Sequence, residues 1–569
     1  MSFQCTTKKI MFLIICLFSA FLIMRSFFYI YNYYSAPLYW DQWEFVRDIS
    51  ERHTDVFSLR YLFQGHNEHV IATTKIFFLL DYLFFDLKNG PLITLISFLA
   101  FVVAVFLSLL VFSRAVKGSQ FFLLVCILFA AAVSLAQYQN LFWGFQPQFY
   151  LVSLTAIWTL LAALKMVESD TSAKRMFWFL MLCIATFLCI FSMGNGIAIP
   201  ISVALFLVFI RWRRWSMIVV YFVVSALWVC VDLYLTRHAM PVGNLSQRTP
   251  LNILFFFFTM IGSSLSRNIQ TAFAIGIGVF VLYGVTFIKL IAVPWFKRED
   301  IDRGVAALFA LGSFFFAAAA AAAWTRSPLG QGAALASRYS TPMLLLLMIW
   351  FCIWFRGAAT RENTKSLFAT AILTAMVIVA AASTLREKNA ASVFKAQTRA
   401  AYFVLSQVEP DDQLLKLYPD AKAVRSAIDW LRRNQLNIFA RNGGISVPDA
   451  SELLSVQDLD DSRLCANYAI DQIAETSSGQ LQLTGWVTDA QKQTPMWVLA
   501  FDERGKLLGF TKPLENRSDV TAVVGAEPGF HGFVLPVNMS SSNRREIQLR
   551  IISKMPGASC KITTVKTAG

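Results

Sequence analysis

Charge is scarce in this 569-residue chain: Lys, Arg, Asp and Glu together make up 15% of it, against 56% hydrophobic residues. Soluble domains carry about a quarter charged residues, so the composition excludes an ordinary soluble enzyme. Nucleotide fingerprints are missing as well. No Walker or dinucleotide pattern occurs, and Gly276 and Gly278 lie inside an apolar run rather than between a strand and a helix. His66 and His69 are three apart, not four, which excludes the metalloprotease pattern, and the polar stretch around them has no Asp-X-Asp pair. Cysteines are few outside apolar runs. Cys16, Cys126, Cys183, Cys189, Cys230 and Cys352 lie within such runs, and Cys5 precedes the first, leaving Cys465 and Cys560 in polar sequence. That pair is a disulfide candidate if its segment lies outside the cytoplasm.

What the chain does have is long apolar runs. Requiring about 17 to 25 apolar residues per crossing predicts about eleven transmembrane helices. They lie near 10–30, 91–113, 120–136, 149–166, 176–193, 196–210, 216–235, 271–294, 304–324, 341–355 and 366–384. The net charge of +15 sits in short clusters between these runs, as positive-inside loops require, and not as a nucleic-acid surface. Arg114 and Lys117, Lys174 and Arg175, Arg211 to Arg214, Lys297 to Arg303, and Arg356 to Lys365 mark the inner connections. The N-terminus is then cytoplasmic, and everything after about Thr384 is extracytoplasmic, periplasmic in a Gram-negative cell. Two apolar stretches, 70–87 and 251–261, are interrupted or short and predict surface-lying or re-entrant helices.

The fold class expected is thus an α-helical polytopic membrane protein with a C-terminal extracytoplasmic β-sandwich. Residues 1–384 form the transmembrane domain, with a first external loop at 31–90, and 385–460 read as a helical linker. From 461 to 569, short runs such as Leu481–Val487 and Phe530–Val537 alternate with turn signals, which predicts strands. The 196–210 span rises only about 22 Å against a hydrocarbon core of about 30 Å, so its outer end, Gly194 to Gly196, helps form a depression in the outer surface. A tilted neighbour and a thinned bilayer would accommodate the same length.

Candidate chemistry concentrates in the first external loop. Asp41 and Glu44 stand in Tyr39-Trp40-Asp41-Gln42-Trp43-Glu44, where the aromatic residues are expected to anchor the carboxylates at the membrane interface. A carboxylate there can take a proton from a sugar hydroxyl; a helix N-cap at Asp41 is the plainer reading. His66-Asn67-Glu68-His69 places two imidazoles on one face if the segment is helical, suited to substrate hydrogen bonding, to metal binding or to a solvated helix start. Gln146, Gln148 and Asn195 are neutral polar groups in outer connections that suit sugar hydroxyls. Arg338 and Tyr339 precede a span, where Arg338 can meet a lipid phosphate or serve as an ordinary interfacial residue.

The Trp40-Asp41-Gln42-Trp43-Glu44 motif just after the first span, the long first external loop, the span count and the external C-terminal domain together resemble the GT-C superfamily of polytopic glycosyltransferases. The resemblance is to bacterial members that decorate O-antigen or other surface polysaccharide from polyprenyl-phosphate sugars. It implies a catalytic carboxylate early in the first loop, hence Asp41, with Glu44 and Glu68 as neighbours. The implied partners are a lipid bilayer, a polyprenyl-phosphate sugar donor and an envelope glycan acceptor, in the bacterial inner membrane. No cofactor is implied outright, and a divalent metal stays open. A transporter or flippase of a lipid-linked glycan is the alternative. Such a protein is expected to show paired ionisable residues within spans or internal repeats, and the sequence offers chiefly Arg25 and Asp232, with no evident repeat. A scaffold for other envelope enzymes is a third reading.

Overall fold

The computed structural model describes residues 2–88, 96, 99–100, 102–103, 128–238, 246, 248–358, 386, 388–441, 445–457, 464–476, 479–539, 546–555 and 557–566. The spans expected near 91–113 and 366–384 lie largely or wholly outside these residues, as does the first half of the span expected near 120–136. The chain divides into two compact units, one of residues 1–34, 54–83 and 91–390, the other of 35–53, 84–90 and 391–569. The first external loop is therefore shared between them.

The first unit is helical. Among the described residues, six helices are long and apolar enough to cross a membrane: Leu13–Asn32, Pro147–Glu168, Ser172–Ile190, Trp215–Thr236, Ile269–Phe296 and Arg303–Leu329. They coincide with spans read from hydropathy. Three further apolar helices, Gly194–Phe209, Pro250–Gly262 and Ser337–Ile353, are shorter. Among the long helices, burial separates two kinds. In Pro147–Glu168 and Arg303–Leu329, 67% of the residues in the most apolar stretch are buried and the helices form the centre, whereas in Trp215–Thr236 only 17% are, and Val219, Val223 and Leu227 are exposed. A helix that is apolar all round yet exposed on one side is suited to contact with lipid, where no polar face is required.

Close packing in the centre depends on small side chains. Ala318, Ala319 and Ala323 of the alanine run are buried, and Gly262 and Gly276 abut the carbonyls of Ala272 and Phe258 where helices Pro250–Gly262 and Ile269–Phe287 cross. Gly276 is thus a packing residue. The helix Ala72–Phe85 is inverted relative to a soluble amphipathic helix: Lys75 and Asp81 are buried, while Ile76 and Leu83 are 46% and 54% exposed. Such a helix is stable where its surroundings are apolar, and it occupies the stretch 70–87 for which a surface-lying or re-entrant helix is expected.

In the second unit the helix Gln42–Arg52 packs against Ala421–Arg433, whose Val424, Ala427, Ile428 and Leu431 form a buried stripe at helical spacing. Eight strands follow: β1 (Tyr468–Glu475), β2 (Leu481–Val487), β3 (Trp497–Phe501), β4 (Leu507–Thr511), β5 (Glu515–Asn516), β6 (Phe530–Val537), β7 (Glu546–Ile552) and β8 (Cys560–Lys566). They form two four-stranded antiparallel sheets, ordered β1-β2-β6-β5 and β4-β3-β7-β8. Leu483 and Leu535 of the first sheet share one apolar cluster with Val498 and Leu549 of the second. Cys465 and Cys560 border that cluster and are disulfide-bonded, with Cα atoms 5.2 Å apart.

Candidate functional site

His66 and His69 do not share a helix face. They stand at the two ends of a tight turn, with His66 N–H donating to the His69 carbonyl (2.7 Å) and His69 N–H to that of His66 (3.1 Å). Asn67, at φ 49°, takes the left-handed conformation that the turn requires and that Asn tolerates better than most residues. This corrects the helical spacing argument: the relation of i to i+3 holds on a helix, and a left-handed residue between the two histidines ends that relation.

Within the first unit the turn is held from several sides. Gly65 lies under the carbonyl of Leu235, where an added Cβ would sit 3.2 Å away, and Asp232 accepts the backbone N–H of Val70. The His66 ring packs 5.1 Å from Phe145, and Gly194 lies so close to His69 that a Cβ there would be 2.8 Å from Nδ1. Thr73 donates to Ser192 Oγ at 2.9 Å, and Lys75 Nζ donates to the carbonyls of Tyr61 and Gln64, both at 2.8 Å. A buried ammonium here holds the chain that leads into the turn.

Glu68 Oε1 pairs with Arg326 at 2.5 Å, with each side chain only about one-fifth exposed. Its other oxygen, Oε2, is buried without a hydrogen-bond partner among the described residues. Burial holds the His69 imidazole below its ordinary pKa; Glu68 pulls it upward and Arg326 pushes it down. The ring is therefore neutral at pH 7 and has a nitrogen able to accept. Residues beside the packing neighbours of the turn are in the same condition as Glu68: Gln146 and Gln148, 1% and 6% exposed, and Asn195 each have a buried side-chain oxygen with no partner among the described residues. Arg248, stacked 5.5 Å from Trp324, has an unpartnered Nε, and Ser327 next to Arg326 an unpartnered Oγ.

A buried acceptor without a donor costs about 1–3 kcal/mol, so these oxygens on neighbouring segments are candidates for groups that bring donors. Hydroxyls fit: each supplies one proton and accepts through its oxygen, and Glu68 Oε2 is an anionic acceptor for such a proton. Among the described residues no group of three or more His, Cys, Asp or Glu stands close enough to hold a metal ion.

The other expected residues lie elsewhere. Asp41 and Glu44 belong to the second unit, where Glu44 Oε1 accepts from the Tyr418 hydroxyl at 2.6 Å and Trp40 N–H donates to the Leu417 carbonyl at 2.7 Å. Burial and the Glu44 carboxylate both raise the Tyr418 pKa, so the phenol keeps its proton and donates it to Glu44. Trp43, expected as an interfacial anchor, is 5% exposed with its Nε1 donating to the Leu38 carbonyl; the apolar stripe of helix Gln42–Arg52 draws it into the unit's interior. Trp40 is exposed. Tyr339, expected with Arg338 as a substrate-binding residue, is 5% exposed in the helical core against Phe149. Arg338 lies 5.3 Å from the Tyr339 ring, its backbone fixed by Gln139 and Asn140.

Sequence reasoning missed the partner of Glu68. Arg326 was visible only as one of several scattered arginines, and its place at the end of the alanine-rich span, followed by Ser327, was the available signal. No protein-family model matches the chain, and no curated protein matches its sequence.

Proposed function

We propose that this protein is a GT-C-like membrane glycosyltransferase that moves a sugar from a polyprenyl-phosphate donor to a hydroxyl of an envelope glycan, at the outer face of the bacterial inner membrane. The observation that carries this reading is the half-satisfied polar cluster of Glu68, His69 and Arg326, with the oxygens of Gln146, Gln148 and Asn195 that have no partner among the described residues, in a mainly apolar helical unit. About eleven spans, a cytoplasmic N-terminus and a β-sandwich made from the two C-terminal sheets belong to the same reading. So does the disulfide, which suits an oxidising compartment.

A sugar hydroxyl is a weak nucleophile, and no nucleotide-sugar supply is expected outside the cytoplasm, so a lipid-carried donor and a carboxylate base are needed. Asp41, in the second unit, is proposed for that role by its place after the first span; Glu68, in the first unit with a buried oxygen that has no partner among the described residues, is the alternative base, and Arg326 and Arg338 of that unit suit a lipid phosphate. Asp41→Asn, Glu44→Gln and Glu68→Gln, each tested for transfer from a defined polyprenyl-phosphate sugar in membranes, separate the assignments. Loss of the base lowers turnover by about 10² to 10⁴ with donor binding retained. Full activity in Asp41→Asn with loss in Glu68→Gln moves the base to Glu68, and full activity in all three sinks the transferase reading.

One observation favours the transporter alternative. Asp232 is 3% exposed within the helix Trp215–Thr236, as ionisable groups of transport pathways are. Its contact with the Val70 N–H gives it a structural task instead. Lipid-linked glycan movement by vesicles containing Asp232→Asn decides between these tasks: normal movement leaves only the structural one.

A further inference from the structure

The second unit contains an open cleft of about 420 Å³ lined by Gln407, Glu409, Arg425, Arg432 and Gln480. Its volume falls within the roughly 300–1,000 Å³ of small-ligand sites, and each residue that lines it carries a polar or charged group on an aliphatic stem, unlike the hydrophobic and aromatic lining of a pocket for an apolar ligand. We infer that this cleft binds a neutral oligosaccharide, which on the reading above is part of the acceptor glycan.

Charge decides the ligand class. Two guanidinium groups face the cleft, and both are already neutralised: Arg425 Nη2 donates to Asp411 Oδ1 at 2.6 Å and to the Glu409 carbonyl at 2.9 Å, and Arg432 donates to Glu409 Oε1 at 2.6 Å and Asp429 Oδ1 at 2.9 Å. Three carboxylates against two guanidiniums leave these ion pairs without excess positive charge, which weighs against a phosphate or a uronic acid. What remains is a set of fixed planar donors and acceptors, guanidinium N–H, carboxylate oxygen and amide. Sugar hydroxyls, each donor and acceptor at once, match such a set.

Gln407 supplies an independent observation. It ends the helix 388–405 at the position after the cap, where the Val408 N–H reaches the Phe403 carbonyl (2.9 Å) and the Gln407 N–H that of Val404 (3.1 Å). Its φ is 57°, the conformation for which glycine is the usual residue. The same motif ends helix Ala421–Arg433 at Gln435, but there the amide turns back onto the Arg432 carbonyl at 2.9 Å and serves its own helix. The Gln407 side chain makes no such local bond. Its oxygen receives a 3.4 Å contact from Asn538, and its amide borders the cleft. Gln407 is thus one of several non-glycine residues at positive φ, and its side chain lines the cleft instead of serving its own helix.

This location makes a clean test available, because Gln407→Gly removes the amide while relieving the backbone. Full-length protein in lipid nanodiscs, without any lipid donor, is titrated with maltotetraose, mannotetraose and rhamnose-containing tetrasaccharides, and with a galacturonate oligomer and inorganic phosphate. At least one neutral tetrasaccharide is expected to bind, with affinity reduced tenfold or more in Gln407→Gly and in Arg425→Lys, which keeps charge but loses the planar fork. The thermal midpoint of Gln407→Gly is expected to equal or exceed the parent's. Failure of every neutral oligosaccharide to bind, tighter binding of galacturonate or phosphate, or unchanged affinity in both variants would overturn the inference. The assay contains no transfer step, so retained glycan binding beside absent transfer counts against the transferase reading alone.

Discussion

Gly194 shows how little room a single position leaves: any side chain there meets the His69 ring at 2.8 Å, so the imidazole is set by what glycine lacks. His69 also makes a pH prediction. Its folded pKa lies below its ordinary value, chiefly through burial, so the unfolded chain binds a proton that the folded chain refuses. Stability is then highest above the unfolded pKa of about 6.5 and falls as pH drops below it, because protons favour the unfolded state in that window. Thermal unfolding of the parent and of His69→Gln between pH 7.5 and 5 reads this out. The parent should lose more of its midpoint than the variant, and parallel loss would show that His69 is not the group responsible.

At the scale of elements, glycine and arginine do opposite work in the helical unit. Gly276 lets helices Pro250–Gly262 and Ile269–Phe287 touch backbone to backbone, since a Cβ there would overlap the Phe258 carbonyl. Gly278, two residues on, meets nothing within 4 Å among the described residues. Gly276→Leu is therefore expected to destabilise the protein by about 1–3 kcal/mol through overpacking, and Gly278→Leu to leave the unfolding midpoint in detergent almost unmoved. Equal effects would contradict the packing described. Arg386, fully buried, joins three segments by polar contacts instead: it donates to the carbonyls of Ala136 and Ser263 and to Ser340 Oγ. Beside it, Gln137 accepts from Tyr150 and Thr341, so loop ends with no apolar pattern are fixed by hydrogen bonds.

For the whole molecule the disulfide links covalent structure to compartment. Cys465 and Cys560, 95 residues apart, close most of the two-sheet region into one loop, and removing such a link costs roughly 2–4 kcal/mol. Replacing both by Ser should lower the resistance of this region to proteolysis while the membrane helices remain protected. Alkylation in fresh cells tests its placement. On the proposed topology both cysteines resist a maleimide until a reductant is added; reaction before reduction would put the domain in the cytoplasm.

Much of the architecture was legible because its signals are local. A run of apolar residues identifies a membrane-length helix whatever lies around it, and Leu481–Val487 or Phe530–Val537 read as strands from a few residues of sequence. The site was legible only by composition: Glu68, His69, Gln146, Gln148 and Asn195 were singled out as polar residues in outer connections. Their arrangement depends on a left-handed Asn67, on the space left by Gly194 and on Arg326, which lies more than 250 positions from Glu68. None of these leaves a periodic trace. The first external loop likewise reads as one polar stretch, yet tertiary contacts assign Asp41 and Glu44 to one unit and Glu68 to the other, because the apolar stripe of helix Gln42–Arg52 finds its complement on Ala421–Arg433. The sequence by itself determined which segments are apolar and which residues carry charge. Only the tertiary structure decided which charges meet, since that depends on contacts between residues far apart in the chain.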